Sequence, residues 1–222
     1  MTSEDIYNKK QITSGDLKVS MITKMVRYWQ EGNGLSVDGY CGPNTQSSLS
    51  STFANIRGVS DLSEAALSIA IESLGEGETG GNNSGPFVEM LHGLEFDGDD
   101  DDDGAWCAAF VSYCFKQASA RVGQDIPFSP SGGAKRLYKN ISNAGVVLSV
   151  DQSANGSRVL PGDVICFHRG DPSGWMGHIG IVERVSPGVI YTIEGNVGSY
   201  PSKVRRFRRQ TDDPMLMGFA RI

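Results

Sequence analysis

The hydrophobic pattern of this chain changes period once, and that change limits the fold more than any other feature. Up to the turn Pro161-Gly162-Asp163, apolar residues recur at helical spacing. Met21, Ile22, Met25, Val26 and Trp29 form one stripe, and Leu67, Ala70, Ile71 and Leu74 another. Cys107, Phe110, Val111, Cys114, Phe115 and Ala118 form a third. Beyond the turn the pattern breaks into short β-type runs at 164–167, 179–185, 189–193, 203–207 and 217–222, spaced like an antiparallel meander. Helices followed by such a sheet specify an α+β fold. A hydrophobic content of 39% over 222 residues suffices for one large core, or for a small and a medium one.

Several classes are set aside at once. The opening MTSEDIYNKKQITSG has no apolar stretch of the signal-peptide kind, and no window approaches the length of a membrane span, so no stable membrane insertion is expected. An exported role would need another route. A net charge of −6 argues against general nucleic-acid binding. The cysteines Cys41, Cys107, Cys114 and Cys166 fit no disulfide framework and no paired metal spacing, so reduced thiols are the simpler expectation.

In the N-terminal part, a helix over 19–30 is followed by EGNGLSVDGYCGPNTQSSL. Asp38-Gly39 makes a tight turn, and Gly42-Pro43 stops one element before Asn44 or Thr45 caps the next helix. VDGYCGPNTQSSL resembles the signature of the small three-helix peptidoglycan-binding domain, except that Cys41 departs from the bulky apolar residue usual nearby. The resemblance implies an all-α domain over residues 1–57 whose surface near this loop holds cell-wall glycopeptide. A second domain then covers 58–222. It opens with Asp61 and Glu64 as N-cap and capping-box pair. The Gly- and Asn-rich loop Gly75 to Pro86 is expected at the surface, as one lip of a groove.

Cys107 stands in the first turn of its helix, where unpaired N–H groups and the positive end of the helix dipole favour a thiolate. The bland alternative is a small core residue. A cysteine nucleophile needs a base, and the chain holds only His92, His168 and His178. His92 falls in a structural-looking helix and His168 at a strand end. His178 sits between two glycines in GHIGIVERV, where missing side chains allow close approach, and it is the expected base. The following run VIYTIEGN ends in Glu194 and Asn196; either could accept a hydrogen bond from the ring in a hairpin. Both could equally be an ordinary polar edge.

GAWCAAFVSYCFKQA, PGDVICF, GHIGIVERV and YTIEGNVG, in that order, resemble the cysteine, histidine-dependent amidohydrolase/peptidase (CHAP) domain, a papain-like fold of peptidoglycan hydrolases, over Leu62 to Ile222. The resemblance implies N-terminal helices packed on an antiparallel sheet. It also implies Cys107 as nucleophile, His178 as general base, Glu194 orienting the imidazole and Asn196 as a further polar member. An oxyanion hole would come from backbone N–H near Cys107. The substrate would be the peptide part of peptidoglycan, cut either at the muramic acid–L-alanine amide or within the stem or cross-bridge peptide.

The aspartate run before Cys107 should raise its pKa unless something neutralises it. Asp99, Asp101, Asp103 and Gly104 spell D-x-D-x-D-G, the first half of a calcium loop lacking its final glutamate. One Ca²⁺ is expected on Asp99, Asp101 and Asp103, with Asp97 as a further ligand; no organic cofactor is expected. Lys203, Arg205, Arg206, Arg208 and Arg209 flank Val204 and Phe207, so several of these charges must point outward, protecting an edge strand or attracting anionic wall polymers. Trp175 either lines the groove or anchors its loop. With these resemblances and no secretion signal, the expectation is a monomeric phage endolysin, made in the host bacterial cytoplasm and released to the wall. The alternatives are a wall-amidase effector toxin and an inactive wall-binding protein. A zinc site on Cys166 and His168 lacks a second ligand pair.

Overall fold

The computed structural model describes residues 19–49, 60–94, 104–148, 159–186 and 188–222. The chain divides into two compact units, Met1–Ala54 and Asn55–Ile222. Among the described residues no helix is long and apolar enough to cross a membrane.

In the first unit, α1 (Val19–Gly32) is followed by α2 (residues 43–49). Gln30, at the end of α1, is only 1% exposed and organises the connection. Its amide oxygen accepts from the Asp38 and Gly39 N–H groups at 3.1 and 2.8 Å. Its amide nitrogen lies 2.7 Å from Asp38 Oδ1, 3.0 Å from the Tyr40 carbonyl and 2.9 Å from Thr45 Oγ1. The Asp-Gly turn is therefore clamped from inside, because a buried amide must find partners for both ends. A cavity of about 350 Å³ beside it is lined by Asp38, Tyr40, Asn44 and Thr45 among others.

The second unit is α+β. Its helices are α3 (Asp61–Glu72), α4 (Pro86–His92), α5 (Cys107–Val122) and α6 (Ala134–Ala144). Its strands are β1 (Val146–Leu148), β2 (Val164–His168), β3 (Gly177–Ser186), β4 (Val189–Glu194), β5 (Arg205–Gln210) and β6 (Leu216–Arg221). They form one antiparallel sheet in the order β1-β6-β2-β3-β4-β5. The expected meander holds for β2 to β5, but β6 returns to the far side of β2 instead of following β5. That return is fastened by Arg221, whose guanidinium holds the buried carboxylate of Asp163 at 2.7 and 2.8 Å, while Asp163 also accepts from the Leu160 N–H.

Alternation along the strands divides the sheet's side chains between two cores. Val164, Cys166, Ile179, Ile181 and Ile193 pack with buried residues of α3, α5 and α6, including Ala66, Phe110, Cys114 and Leu137. Ile165, Phe167, Val182, Ile190, Leu216 and Phe219 form the second cluster. Two local expectations need correction. The N-cap of α3 is Ser60, whose side chain accepts from the Ser63 N–H, and Asp61 is already helical. The inner face of α3 is Leu62, Ala65, Ala66, Ile69 and Ala70, with Ile71 39% exposed. A run this rich in alanine and isoleucine offers more than one apolar stripe, and packing against α5 selects between them.

Candidate active site

Cys107 is the first residue of α5, and no side chain caps that helix start. Both the thiol and His178, near the start of β3, are 3% exposed. The thiol faces the imidazole closely enough for a hydrogen bond as well as a charge interaction, and the Ile179 N–H adds a bond to the sulfur. On its other side the imidazole is held by Glu194, the last residue of β4, with His178 Nε2 2.7 Å from Glu194 Oε2. With Nε2 committed, Nδ1 is the ring atom left to exchange a proton with the thiol. The sequence expectation left Glu194 and Asn196 as alternatives; in the structure the carboxylate meets the ring. Asn196 is half-buried with a left-handed φ of 57°, and its main-chain carbonyl accepts from Arg169 Nη2 at 3.3 Å.

Glu194 is fully buried and carries four donors. Arg209 donates from Nε to Oε1 at 2.8 Å and from Nη2 to Oε2, and the Thr192 hydroxyl donates to Oε1. A buried carboxylate needs such a counter-charge, and Arg209 supplies it from β5. Arg209 in turn lies over two aromatic rings, 4.9 Å from the Phe167 centroid and 5.1 Å from that of Phe207. Several charges of the basic cluster are expected outward, and Arg209 is the one that turns in to Glu194. The outward expectation holds for Arg206, which is exposed and pairs with Glu183 across the surface. β5 is an edge strand, so the edge-protection reading fits its remaining arginines.

The electrostatics follow from these contacts. Burial disfavours the charged imidazole, but the Cys107 thiolate, its hydrogen bond and the Glu194 carboxylate outweigh it and push His178 up to about 9. Burial likewise opposes the Glu194 carboxylate, yet Arg209 and His178 bring it down to about 2. For Cys107, burial raises the thiol, and the charge and hydrogen bond of His178 with the charge of Arg169 overcome it, so the pKa ends below the ordinary thiol value. Cys166, buried without such company, is pushed up to about 12. The arrangement thus singles out one cysteine for nucleophilic chemistry.

Missing side chains allow this packing. A Cβ on Gly180 would lie 2.5 Å from Glu194 Cγ, and one on Gly195 would lie 2.3 Å from a ring carbon of Trp106. Trp106 immediately precedes Cys107, and its indole N–H donates to Glu78 at 3.2 Å. Glu78, 1% exposed, also accepts from the Asn83 N–H at 3.1 Å and the Ser202 N–H at 2.7 Å. The glycine-rich loop before α4 is therefore pinned at its base to the segment that carries the cysteine. A pocket of about 80 Å³ opens beside the thiol, lined by Gly133, Arg169, Trp175 and Met176 among others; Trp175 is 58% exposed.

Sequence reasoning missed Arg169, Arg209, Thr192, Glu78 and Trp106 as parts of this site. A buried glutamate demands a cation, which was a usable signal for the basic cluster, but only strand register selects Arg209 from its five members. His92 is exposed and takes no part. The expected calcium ligands Asp97, Asp99, Asp101 and Asp103 lie outside the described residues. Among the described residues no three His, Cys, Asp or Glu side chains converge as a metal site, so Cys166 and His168 gain no further ligands there.

No curated protein and no solved structure matches this chain. Residues 99–196 match the family described as the CHAP domain, a stretch that contains Cys107, His178, Glu194 and Asn196.

Proposed function

We propose that this chain is a peptidoglycan hydrolase that cuts an amide in the peptide part of the bacterial cell wall by cysteine nucleophilic catalysis. The observation that carries the reading is the relay of Cys107, His178 and Glu194, buried together beside an open pocket. The Cys107 thiolate attacks the amide carbonyl, and backbone N–H groups at the uncapped start of α5 receive the developing oxyanion. Collapse expels the amine, which takes the proton held on His178, and leaves a thioester. Water, deprotonated by His178, then attacks the thioester, releasing the carboxylic acid and regenerating the thiol. Glu194 keeps the proton on Nε2 and supports the imidazolium; Asn196 shapes the site through its main chain.

In this reading the first unit is a wall-binding domain that raises local substrate concentration. Its clamped Asp38-Gly39 turn and adjoining cavity support that role. The setting is that of a phage endolysin made in the host cytoplasm and acting on the wall after release, as a monomer. A calcium ion on Asp97, Asp99, Asp101 and Asp103 belongs to the proposal on sequence grounds alone, its chemistry being to neutralise the aspartates next to the thiolate. Chelation should then lower the melting temperature and restored Ca²⁺ should raise it; a melting curve indifferent to both removes the ion.

Turbidity of purified cell walls tests the function. Wild type should clear the suspension and Cys107→Ala should bind without clearing it. Equal behaviour of the two proteins would leave only a binding module. Mass spectrometry of the released muropeptides then identifies the bond, through a free lactyl group or a new peptide amine.

A further inference from the structure

Arg169 follows β2 and reaches into the pocket beside Cys107. It is exposed, and among the described residues it is the only charged one lining that pocket. Its Nη2 lies 3.0 Å from His178 Nδ1 and 3.3 Å from the Asn196 carbonyl. No carboxylate among the described residues pairs with it. Among the described residues the acidic groups nearby are committed elsewhere: Glu194 to Arg209, Thr192 and His178, and Asp171 to the N–H and hydroxyl of Ser173. The neighbouring cation, Lys135, is likewise spent on the carbonyls of Pro172 and Gly174.

Among the described residues the hydrogen-bond partners of Arg169 are one neutral carbonyl and one ring nitrogen, and its charge also favours the Cys107 thiolate. The bond to the ring nitrogen is a contact the reaction must break. A guanidinium can only donate, so bonding to Nδ1 requires that nitrogen to keep its lone pair. In the thiolate–imidazolium pair Nδ1 carries the thiol proton, so two positive groups face each other at that spot and Arg169 must leave. A planar fork that must move, exposed at the pocket's edge with no carboxylate among the described residues to hold it, is suited to a carboxylate presented from outside.

We infer that Arg169 is the specificity-determining residue that selects substrates with a free carboxylate beside the amide to be cut. The ligand class is an anionic peptide, as opposed to its amidated counterpart. In a γ-linked stem peptide that group is the α-carboxylate of D-glutamate, which survives cross-linking. Seating it draws the guanidinium away from His178, so that the imidazolium of the thiolate pair no longer faces a second positive charge at Nδ1. The inference rests on the hydrolase reading for its substrate, but its test does not depend on turnover.

The probes are N-acetylmuramoyl-L-Ala-D-isoGlu-L-Lys and the same muropeptide with D-isoglutamine. Calorimetric titration into the inert Cys107→Ala protein should show the carboxylate form binding about 10–100-fold more tightly, as a charge-assisted bond of about 1.5–3 kcal/mol provides. Adding Arg169→Gln should bring that ratio to about one, and Arg169→Lys should keep part of it. A ratio near one in Cys107→Ala overturns the inference, as does a ratio that survives Arg169→Gln or binding of neither peptide. Failure of the wild type to hydrolyse either muropeptide or whole walls, with the binding ratio intact, overturns the hydrolase reading and leaves the carboxylate site standing.

Discussion

Replacing Glu194 by glutamine tests whether the buried polar cluster is an acid–base device. The carboxylate meets only donors: Nε and Nη2 of Arg209, the Thr192 hydroxyl and His178 Nε2. An amide of the same shape has a single oxygen, so one side of it must turn N–H groups toward donors. With its NH₂ in the place of Oε2, it donates to Nε2 and drives the imidazole proton onto Nδ1, the atom that should receive the thiol proton. With its NH₂ in the place of Oε1, it opposes Arg209 Nε. His178 stands at about 9 against an ordinary 6.5, on the order of 3 kcal/mol in favour of the imidazolium at about 1.4 kcal/mol per unit. The Cys107 thiolate contributes the larger part of that and Glu194 the remainder. Glu194→Gln should therefore bring the alkaline limb of wall lysis down by roughly one unit and slow lysis by about 10³-fold or more, the range of a wrong-tautomer defect. Losing the counter-ion of a partly buried arginine should cost about 3 kcal/mol of stability. Lysis rate is followed against pH, and the onset of Cys107 alkylation by iodoacetamide, read by mass spectrometry at that cysteine, should move to higher pH. A variant within threefold of wild type, with an unchanged pH profile, would refute the assignment of Glu194 as the group that orients His178.

The same pair gives stability a two-sided pH dependence. The folded-state pKa of His178 is raised, so the stability it brings is complete below 6.5 and is lost as pH rises through about 9. That of Glu194 is lowered, so its share is complete above 4.5 and is lost as pH falls through about 2. Denaturant titrations across pH should show both declines, and Glu194→Gln should abolish the acidic one; identical acid profiles for the two proteins would contradict the pairing. Gly195→Ala places a methyl group against the fully buried Trp106 ring, and overpacking of that kind costs about 1–3 kcal/mol. Its melting temperature should fall, and Cys107 should alkylate at an altered rate because Trp106 is its chain neighbour; an unchanged melting curve would show that the two segments do not pack as described.

Much of the second unit was legible in residue order because its information is local. Helical spacing through Cys107 to Ala118 and the β runs after Asp163 depend only on which side chains must leave water, and they correspond to α5 and to strands β2 to β6. A thiol at a helix start and an imidazole between two glycines are likewise visible in the chain itself. What residue order could not supply is anything that depends on register or return path. Nothing local distinguishes Arg209 from its basic neighbours, since only the β4–β5 ladder sets which guanidinium reaches Glu194. The short α6 and β1 were not anticipated, and β6 lies beside β2 through long-range pairing and the Arg221–Asp163 contact. Glu78 looked like one polar residue in a glycine-rich loop, and it becomes the anchor of Trp106 only when the distant Trp106 and Ser202 N–H groups join that of Asn83 on its carboxylate. The division has one physical cause. Hydrophobic periodicity is written within a single element, whereas a buried charge acquires its meaning from partners that arrive on other elements, and those arrive only when the sheet closes.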